Sequence, residues 1–399
     1  MTTIDWKALK PHVPLDPGDA QYVERTGSAG DEIAQWILAD RAPLLVGGPA
    51  GVGKSTELAR AAEQLQADRV ACLVQLDRFE NMRRLTPDRM RFRIAQKIGD
   101  LALGVLQMPL SQSLKNALEK VNKVLRGTTV THETSPSVML NAALIEIARV
   151  SKQGRVTLLI DGLEKVPQGT ESLELFDALA SISDEVELVV VIPWHAAFGP
   201  QAETVIRSGE RFVAVRALDV DNGPTGDPGR TFLRKMLVKR LNWNEEEFDP
   251  NAVAVGASLN EAGAPAAAKH SVAIEARRQK LDLLFDASWW SGGLPRVFLQ
   301  LIADAGTYAK LRRSAPWPIA EDLNDAVADQ VDSFRRLLLP GDVDAIRAAV
   351  GTNGSELELE RKIRLMAHGI LLERLRDGSR VLDASPLAQA ALGNGGARA

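Results

Sequence analysis

Five short apolar runs punctuate the first half of the chain: 43–48 (PLLVGG), 70–76 (VACLVQL), 155–161 (RVTLLID), 187–193 (ELVVVIP) and 211–217 (RFVAVRA). Each is apolar at consecutive positions, so both faces of the strand it forms are buried. Helical patterns separate the runs. Strands of this kind, alternating with helices, predict an α/β layer: a parallel sheet with helices on both faces. Residues 77–154, between the second and third runs, exceed what one crossover helix needs. Within them Leu110, Leu114, Leu118, Val121 and Leu125 recur at helical spacing and predict a helix packed on the domain.

The pattern changes after the fifth run. "DVDNGPTGDPG" (219–229) reads as a polar hinge, and helical periodicity follows it. The alanine-rich stretch 252–270 reads as a loop interrupting those helices, and "LLLPGD" (337–342) marks a further break. Beyond it, 342–350 and 356–368 read as two short helices joined by "GTNGS". A strand, a turn at Asp377-Gly378, a second strand and a last helix follow. This order predicts a small winged-helix-like C-terminal domain. Its residues 341–399 hold eight acids and eight bases, a balance that suits packing or oligomerisation at least as well as a grip on DNA. No internal repeat is visible. The expected domains are a core over 1–220, a helical lid over 221–336 and the C-terminal domain over 337–399.

Composition narrows the class without changing it. With 399 residues, 45% hydrophobic and 25% charged, the chain reads as a soluble globular protein of more than one domain. A net charge of -4 does not indicate a nucleic-acid coat, though local basic faces are allowed. One such face is Arg83, Arg84, Arg89, Arg91, Arg93 and Lys97, open to nucleic acid, to another subunit or to solvent alone. No apolar leader or membrane-length run is present, so a cytoplasmic location is expected. Cys72 is the only cysteine and lies in an apolar run, where a core thiol is expected. The histidines show no ligand spacing, so no metal beyond Mg²⁺ is expected.

The chemistry begins at residues 44–61, "LLVGGPAGVGKSTELARA". Gly48-Pro49-Ala50-Gly51-Val52-Gly53-Lys54-Ser55 fits G-x-x-x-x-G-K-[ST] at every fixed position, between a strand and a helix. The glycines allow successive N–H groups to face inward as a phosphate cradle, and the following helix adds its positive end. Lys54 reaches the β- and γ-phosphates and the Ser55 hydroxyl holds Mg²⁺, with Thr56 next in the helix. A nucleoside triphosphate is the expected ligand. The second motif is "RVTLLIDGLEKV", an apolar strand that ends at Asp161. An acid delivered to the rim of the sheet suits Mg²⁺, and Glu164 three residues on suits the base that polarises water.

This pair of motifs resembles the ATPases of the AAA+ and STAND group, including archaeal-type ATPases and origin-recognition initiators. STAND proteins typically carry Asp-Gly-apolar-acid-acid; Asp161-Gly162-Leu163-Glu164 keeps that pattern and Lys165 replaces the last acid. The resemblance implies a nucleotide contact by "WWSGGLPRVFLQLI" (289–302), where Pro295 and Arg296 open an apolar helix. It implies an arginine before the fifth strand that completes a neighbour's site, with Arg207 and Arg211 both in position. It also implies adenine packing near Tyr22 and Val23. Where AAA+ proteins carry a small polar sensor after the fourth strand, this chain has Trp194 and His195. As a whole, the resemblance implies an ATP-binding and hydrolysing switch, with a homo-oligomer or a protein effector as partner and signalling or phage defence as setting. A nonhydrolysing ATP-binding scaffold is the alternative, and a P-loop kinase a further one. No guanine-reading motif is present.

Overall fold

The computed structural model describes residues 4–126, 135–152, 154–167, 169–182, 186–198, 211–220, 227–243, 264–376 and 378–393. The chain divides into two compact units. A sheet unit comprises Gly27–Gly48 and Lys54–Val215, and a helical unit comprises Met1–Thr26, Pro49–Gly53 and Arg216–Ala399.

In the sheet unit the elements run α1 (Ala29–Leu38), β1 (Leu44–Gly47), α2 (Lys54–Leu65), β2 (Val70–Gln75), α3 (Pro87–Gly104), α4 (Gln112–Leu125) and α5 (Pro136–Ala148). They continue with β3 (Val156–Asp161), α6 (Thr170–Ala180), β4 (Glu187–Val191), α7 (Trp194–Phe198) and β5 (Arg211–Ala214). All five apolar runs are strands. They form one sheet in the order β2-β3-β4-β1-β5, and every pair in it is parallel. Leu45, Val74, Leu158, Ile160, Leu188 and Val190 join one core cluster with Met90, Ile94 and Ile98 of α3 and Leu140, Leu144 and Ile147 of α5. The alternate positions Leu44, Val46, Leu159, Val189 and Val191 are fully buried on the opposite face. Both faces are therefore covered, which is why the runs carry no polar alternation. The stripe is inward as the spacing predicts: Leu110, just before α4, and Leu114, Val121 and Leu125 on it are buried, and Leu118 packs partly buried against the core.

The helical unit contains α8 (Pro228–Leu241), α9 (Ala264–Trp290), α10 (Pro295–Arg313), α11 (Ala320–Leu337), α12 (Asp342–Ala349), α13 (Leu359–Ala367), the antiparallel hairpin β6 (Leu371–Arg376) and β7 (Ser379–Ala384), and α14 (Pro386–Ala391). Among the described residues, three helices start with a side-chain cap followed by proline. Thr86, Asp227 and Ser385 each accept a backbone N–H from the first turn. One expectation is corrected here. Residues 264–270 of the alanine-rich stretch are the first turns of α9 rather than loop. Alanine has the highest helix propensity, and nothing in 264–270 beyond the early Pro265 opposes it. The rest of that stretch, 252–263, the hinge residues 221–226 and Asp377 lie outside the described residues. Among the described residues no helix is long and apolar enough to cross a membrane.

The last segment is organised around one buried carboxylate. Asp342, wholly buried at the start of α12, accepts from Arg364 Nη2 on both oxygens at 2.6 and 2.7 Å. It also accepts the Leu339 N–H at 2.7 Å and lies 3.3 Å from Arg361 Nε. Burial pushes its pKa up, but the Arg364 hydrogen bonds, the Leu339 N–H and the two guanidinium charges prevail, and the group sits below the usual carboxylate range. A depressed acid contributes stability at neutral pH that is lost as the group is protonated. Asp342→Ala is expected to cost about 3 kcal/mol at pH 7, since it leaves two arginines without their anion. The difference from the parent should shrink on acidification below pH 4, as read by urea unfolding. Asp344→Ala, which removes an exposed partner of Arg347, should cost less than about 1 kcal/mol.

Candidate functional site

All five strands run in one direction, so their carboxyl ends share one edge of the sheet. β1 delivers the phosphate loop there and β3 delivers Asp161. The loop leaves β1 at Gly48, and Lys54 opens α2. Lys54 is 7% exposed, and its Nζ donates to the Gly48 carbonyl at 2.9 Å, which folds the ammonium back over the mouth of the loop. Gly51 and Gly53 have φ of 81° and 108°, values that L side chains rarely adopt. Ser55 and Thr56 follow in the first turn of α2, both partly exposed.

Asp161 is the last residue of β3 and is 2% exposed. It accepts a hydrogen bond from the Ser55 side chain, yet its Oδ1 is buried with no hydrogen-bond partner. Glu164 lies in the 3-10 turn Leu163–Lys165, and its Oε2 is also buried without a partner. Burial, the facing Glu164 and Asp77 push the Asp161 pKa up to about 6, against the pull of Ser55 and Lys54. Lys54, Ser55, Asp161 and Glu164, named from separate motifs, are thus brought together.

Asp77 is an addition that the motifs did not name. It follows β2, beside the end of β3, because Gln75 pairs with Asp161 in register. A Cβ on Gly162, whose φ is 101°, would lie 2.9 Å from the Asp77 backbone nitrogen. Lys165 pairs with Asp77 through its ammonium. A signal was available in "VACLVQLD": an apolar run ending in an acid, as in the third strand.

Other candidates stand elsewhere. His195 follows β4 on the same edge, and its Nε2 is buried without a partner; burial lowers its pKa, so the ring is neutral near pH 7. Trp194 is buried, with its ring 5.9 Å from that of Phe212. Arg211 opens β5 opposite Leu44, the first residue of β1, and so lies at the far edge of the sheet from the phosphate loop. Its guanidinium stacks 3.5 Å from the centroid of the Trp36 ring on α1. Arg207 lies outside the described residues. Most of the basic face after β2 is internally matched. Arg89 and Arg93 both pair with the buried side chain of Glu80, Arg91 with Asp88, and Lys97 with Asp100. Cys72 is buried and its thiol is pushed up to about 12.

Within the helical unit, the loop residues Pro49–Gly53 meet two elements. The Arg296 N–H, in the first turn of α10 behind Pro295, donates to the Gly51 carbonyl at 3.2 Å. A Cβ on Gly51 would lie 2.6 Å from Arg296 Cβ, so the two backbones meet where only glycine fits. The Ala50 N–H donates to the Ala367 carbonyl at the end of α13, at 3.1 Å. No side-chain motif announces that bond, because its acceptor is a backbone carbonyl. Gly293, just before α10, packs against the Leu218 carbonyl so closely that a Cβ would be 1.9 Å away. Tyr22 and Val23 are partly buried in the segment before α1, where the Tyr22 carbonyl accepts from Lys239 at 3.1 Å.

Among the described residues no three His, Cys, Asp or Glu side chains are grouped to hold a metal ion. A magnesium ion bound with a nucleotide does not need such a group, because phosphate and water supply most of its ligands.

Comparison with known proteins agrees with this geometry. Residues 28–192 match the model of the nephrocystin 3 N-terminal family. The Walker-type ATPase of Pyrococcus abyssi is 12% identical over 94% of this chain and 100% of its own, with a TM-score of 0.52. The Orc1 protein of Aeropyrum pernix, solved in complex with DNA, is 17% identical over 99% of this chain and 98% of its own, with a TM-score of 0.41. The RuvB Holliday junction branch migration motor of Thermotoga maritima is 12% identical over 94% and 99%, with a TM-score of 0.40. No curated protein matches. The parallel sheet, the loop after its β1 strand and the likeness to the Pyrococcus abyssi structure give the sheet unit a P-loop α/β fold.

Proposed function

We propose that this chain binds ATP with Mg²⁺ and hydrolyses it slowly or on demand, as a switch whose nucleotide state is read by the helical unit. The observation that carries this reading is the pair of unpartnered buried oxygens, Asp161 Oδ1 and Glu164 Oε2, beside a phosphate loop. A buried carboxylate oxygen without a donor is costly unless a cation or water completes it. The residues present therefore fit Mg²⁺: Ser55 and Asp161 would hold it, and it would neutralise charge on the phosphates. Lys54 would move from the Gly48 carbonyl to the β- and γ-phosphates. The free oxygen of Glu164 suits a water. As water attacks the γ-phosphorus, the bond to the ADP oxygen breaks and Glu164 takes the proton from the attacking water.

The backbone bonds from Gly51 to Arg296 and from Ala50 to Ala367 support the switch. They tie the loop that would cradle phosphate to α10 and to the C-terminal segment. In this reading 1–220 form the ATPase core, 221–336 a lid and 337–399 a winged-helix-like module. Two helices, a hairpin and the bridge between Val350 and Leu382 support the last. Arg211 stands at the wrong edge of the sheet to serve its own site, so a finger role for it, or for Arg207, belongs to a homo-oligomer. Lys165 favours the second reading, a nonhydrolysing scaffold, by standing where a second acid would be. A DNA partner has less support, because Glu80, Asp88 and Asp100 offset most of the basic face.

Three measurements test this. Lys54→Ala should remove most Mg·ATP affinity in a folded protein, and unchanged affinity by calorimetry would refute the site. Glu164→Gln should keep ATP bound and slow turnover by roughly 10²- to 10⁴-fold; turnover at the parental rate would move the base to another residue, with His195 next. The third concerns Asp161. Because its pKa is raised, the folded protein holds that proton more tightly than the unfolded chain, so stability falls as pH rises from about 4 to 6. Above pH 6 the charge costs the nucleotide-free fold on the order of 3 kcal/mol. Asp161→Asn should therefore stabilise the nucleotide-free protein by about 1 to 3 kcal/mol at pH 7.5 and by little at pH 4. The same variant should weaken Mg²⁺-dependent ATP binding. Urea unfolding at the two pH values checks the first half; a variant less stable than the parent at pH 7.5 contradicts it.

A further inference from the structure

The Glu164 side chain has one oxygen with no partner, so what aims it is the backbone of its turn. That turn is held on three sides. Leu163 and Val166, which flank Glu164 and Lys165, are buried in the core at 0% and 6% exposure. The Lys165 N–H bonds back to Gly162 at 3.1 Å, and Gly162 lies against the Asp77 backbone. The third hold is ionic: the Lys165 ammonium pairs with the Asp77 carboxylate across the ends of β2 and β3. We infer that the Lys165–Asp77 pair is a positioning element for Glu164, clamping the turn after β3 to the turn after β2 so that the carboxylate meets its water at the phosphate edge.

Two physical points carry this. First, the clamp spans adjacent strands that are already in register, Gln75 against Asp161, so it adds little to the fold and acts on the two turns beyond the strand ends. Second, Lys165 follows Glu164 directly, so any shift in the Lys165 backbone is passed to Glu164 through one peptide unit. Asp77 is also the third carboxylate within the influence of Asp161, together with Glu164. An unpaired Asp77 would crowd that edge with negative charge, and Lys165 neutralises it. The lysine in place of a second acid then has a role in hydrolysis without touching nucleotide.

The inference rests on the hydrolytic reading of Glu164, and the experiment separates the two. Steady-state turnover, KM and calorimetric Kd for Mg·ATP are measured on Lys165→Ala, Asp77→Asn, Lys165→Arg, Glu164→Gln and the combination of Lys165→Ala with Glu164→Gln. Lys165→Ala and Asp77→Asn should each lower kcat roughly 10- to 100-fold with KM and Kd changed by less than about twofold, since misaligned groups lose rate rather than affinity. Lys165→Arg, which keeps the pair, should retain most of kcat. Lys165→Ala should add no further loss to Glu164→Gln, because the clamp acts only through that carboxylate. Parental kcat in both single variants overturns the clamp, as does a loss expressed in KM and Kd or one that adds fully to Glu164→Gln. If Lys165→Ala does not fold, Asp77→Asn carries the same test, being isosteric and outside the sheet. Glu164→Gln at the parental rate would sink the hydrolytic reading itself; Glu164→Gln slow and Lys165→Ala fast would sink only the clamp.

Discussion

The hydrogen bond between Ser55 and Asp161 is the constraint on which the rest of the site depends. The two residues leave β1 and β3, which do not pair: β4 lies between them in the sheet. Two strand spacings separate β1 from β3, about 10 Å, and the bond closes that gap only because both chains turn at the same edge. Parallel strands guarantee that shared edge, and crossover helices guarantee parallel strands. The architecture therefore puts a hydroxyl, an ammonium and two carboxylates in one place, using segments more than 100 residues apart in the chain.

That convergence works against stability. Asp161 is buried, faces Glu164 and keeps an oxygen without a donor, and its raised pKa records the cost. Two buried carboxylates elsewhere are matched more completely. Asp342 accepts from Arg364 and the Leu339 backbone with Arg361 alongside, and Glu187 accepts from Arg69, Arg155 and Thr157 at the opposite edge of the sheet. The contrast locates function better than any single distance. Two facing carboxylates left incomplete beside a phosphate loop mark a place where a cation or water is expected.

The phosphate loop carries a second tension. Five of its residues, Pro49–Gly53, group with the helical unit while Gly48 and Lys54 on either side group with the sheet. Gly51 and Ala50 are bonded to Arg296 and Ala367 through backbone atoms, which leaves side chains at the loop free of that duty. Gly51 and Gly53 take left-handed backbone, and the Gly51 carbonyl accepts from the Arg296 N–H of α10.

The local pattern was enough for much of this. Apolar runs without alternation specify parallel strands buried on two faces and Gly48 to Ser55 specifies a phosphate loop, whereas Pro228 and Gly229, read as the end of a hinge, open a helix capped by Asp227. Where the reading holds, the physics is confined to a few neighbouring residues. The α4 stripe and the C-terminal hairpin were legible for the same reason, whereas 264–270 misread as loop because alanine enrichment was weighed as low complexity rather than as helix propensity. What only the tertiary structure decided is which distant groups share an environment. Strand order placed Asp77 beside Asp161 and set Arg211 at the far edge on Trp36, while packing outside the sheet matched Arg89 and Arg93 to the buried Glu80 and brought the Ala367 carbonyl to Ala50. None of these follows from spacing, because charge, desolvation and backbone hydrogen bonding act through space, and the packing that sets those distances is invisible to any local window of sequence.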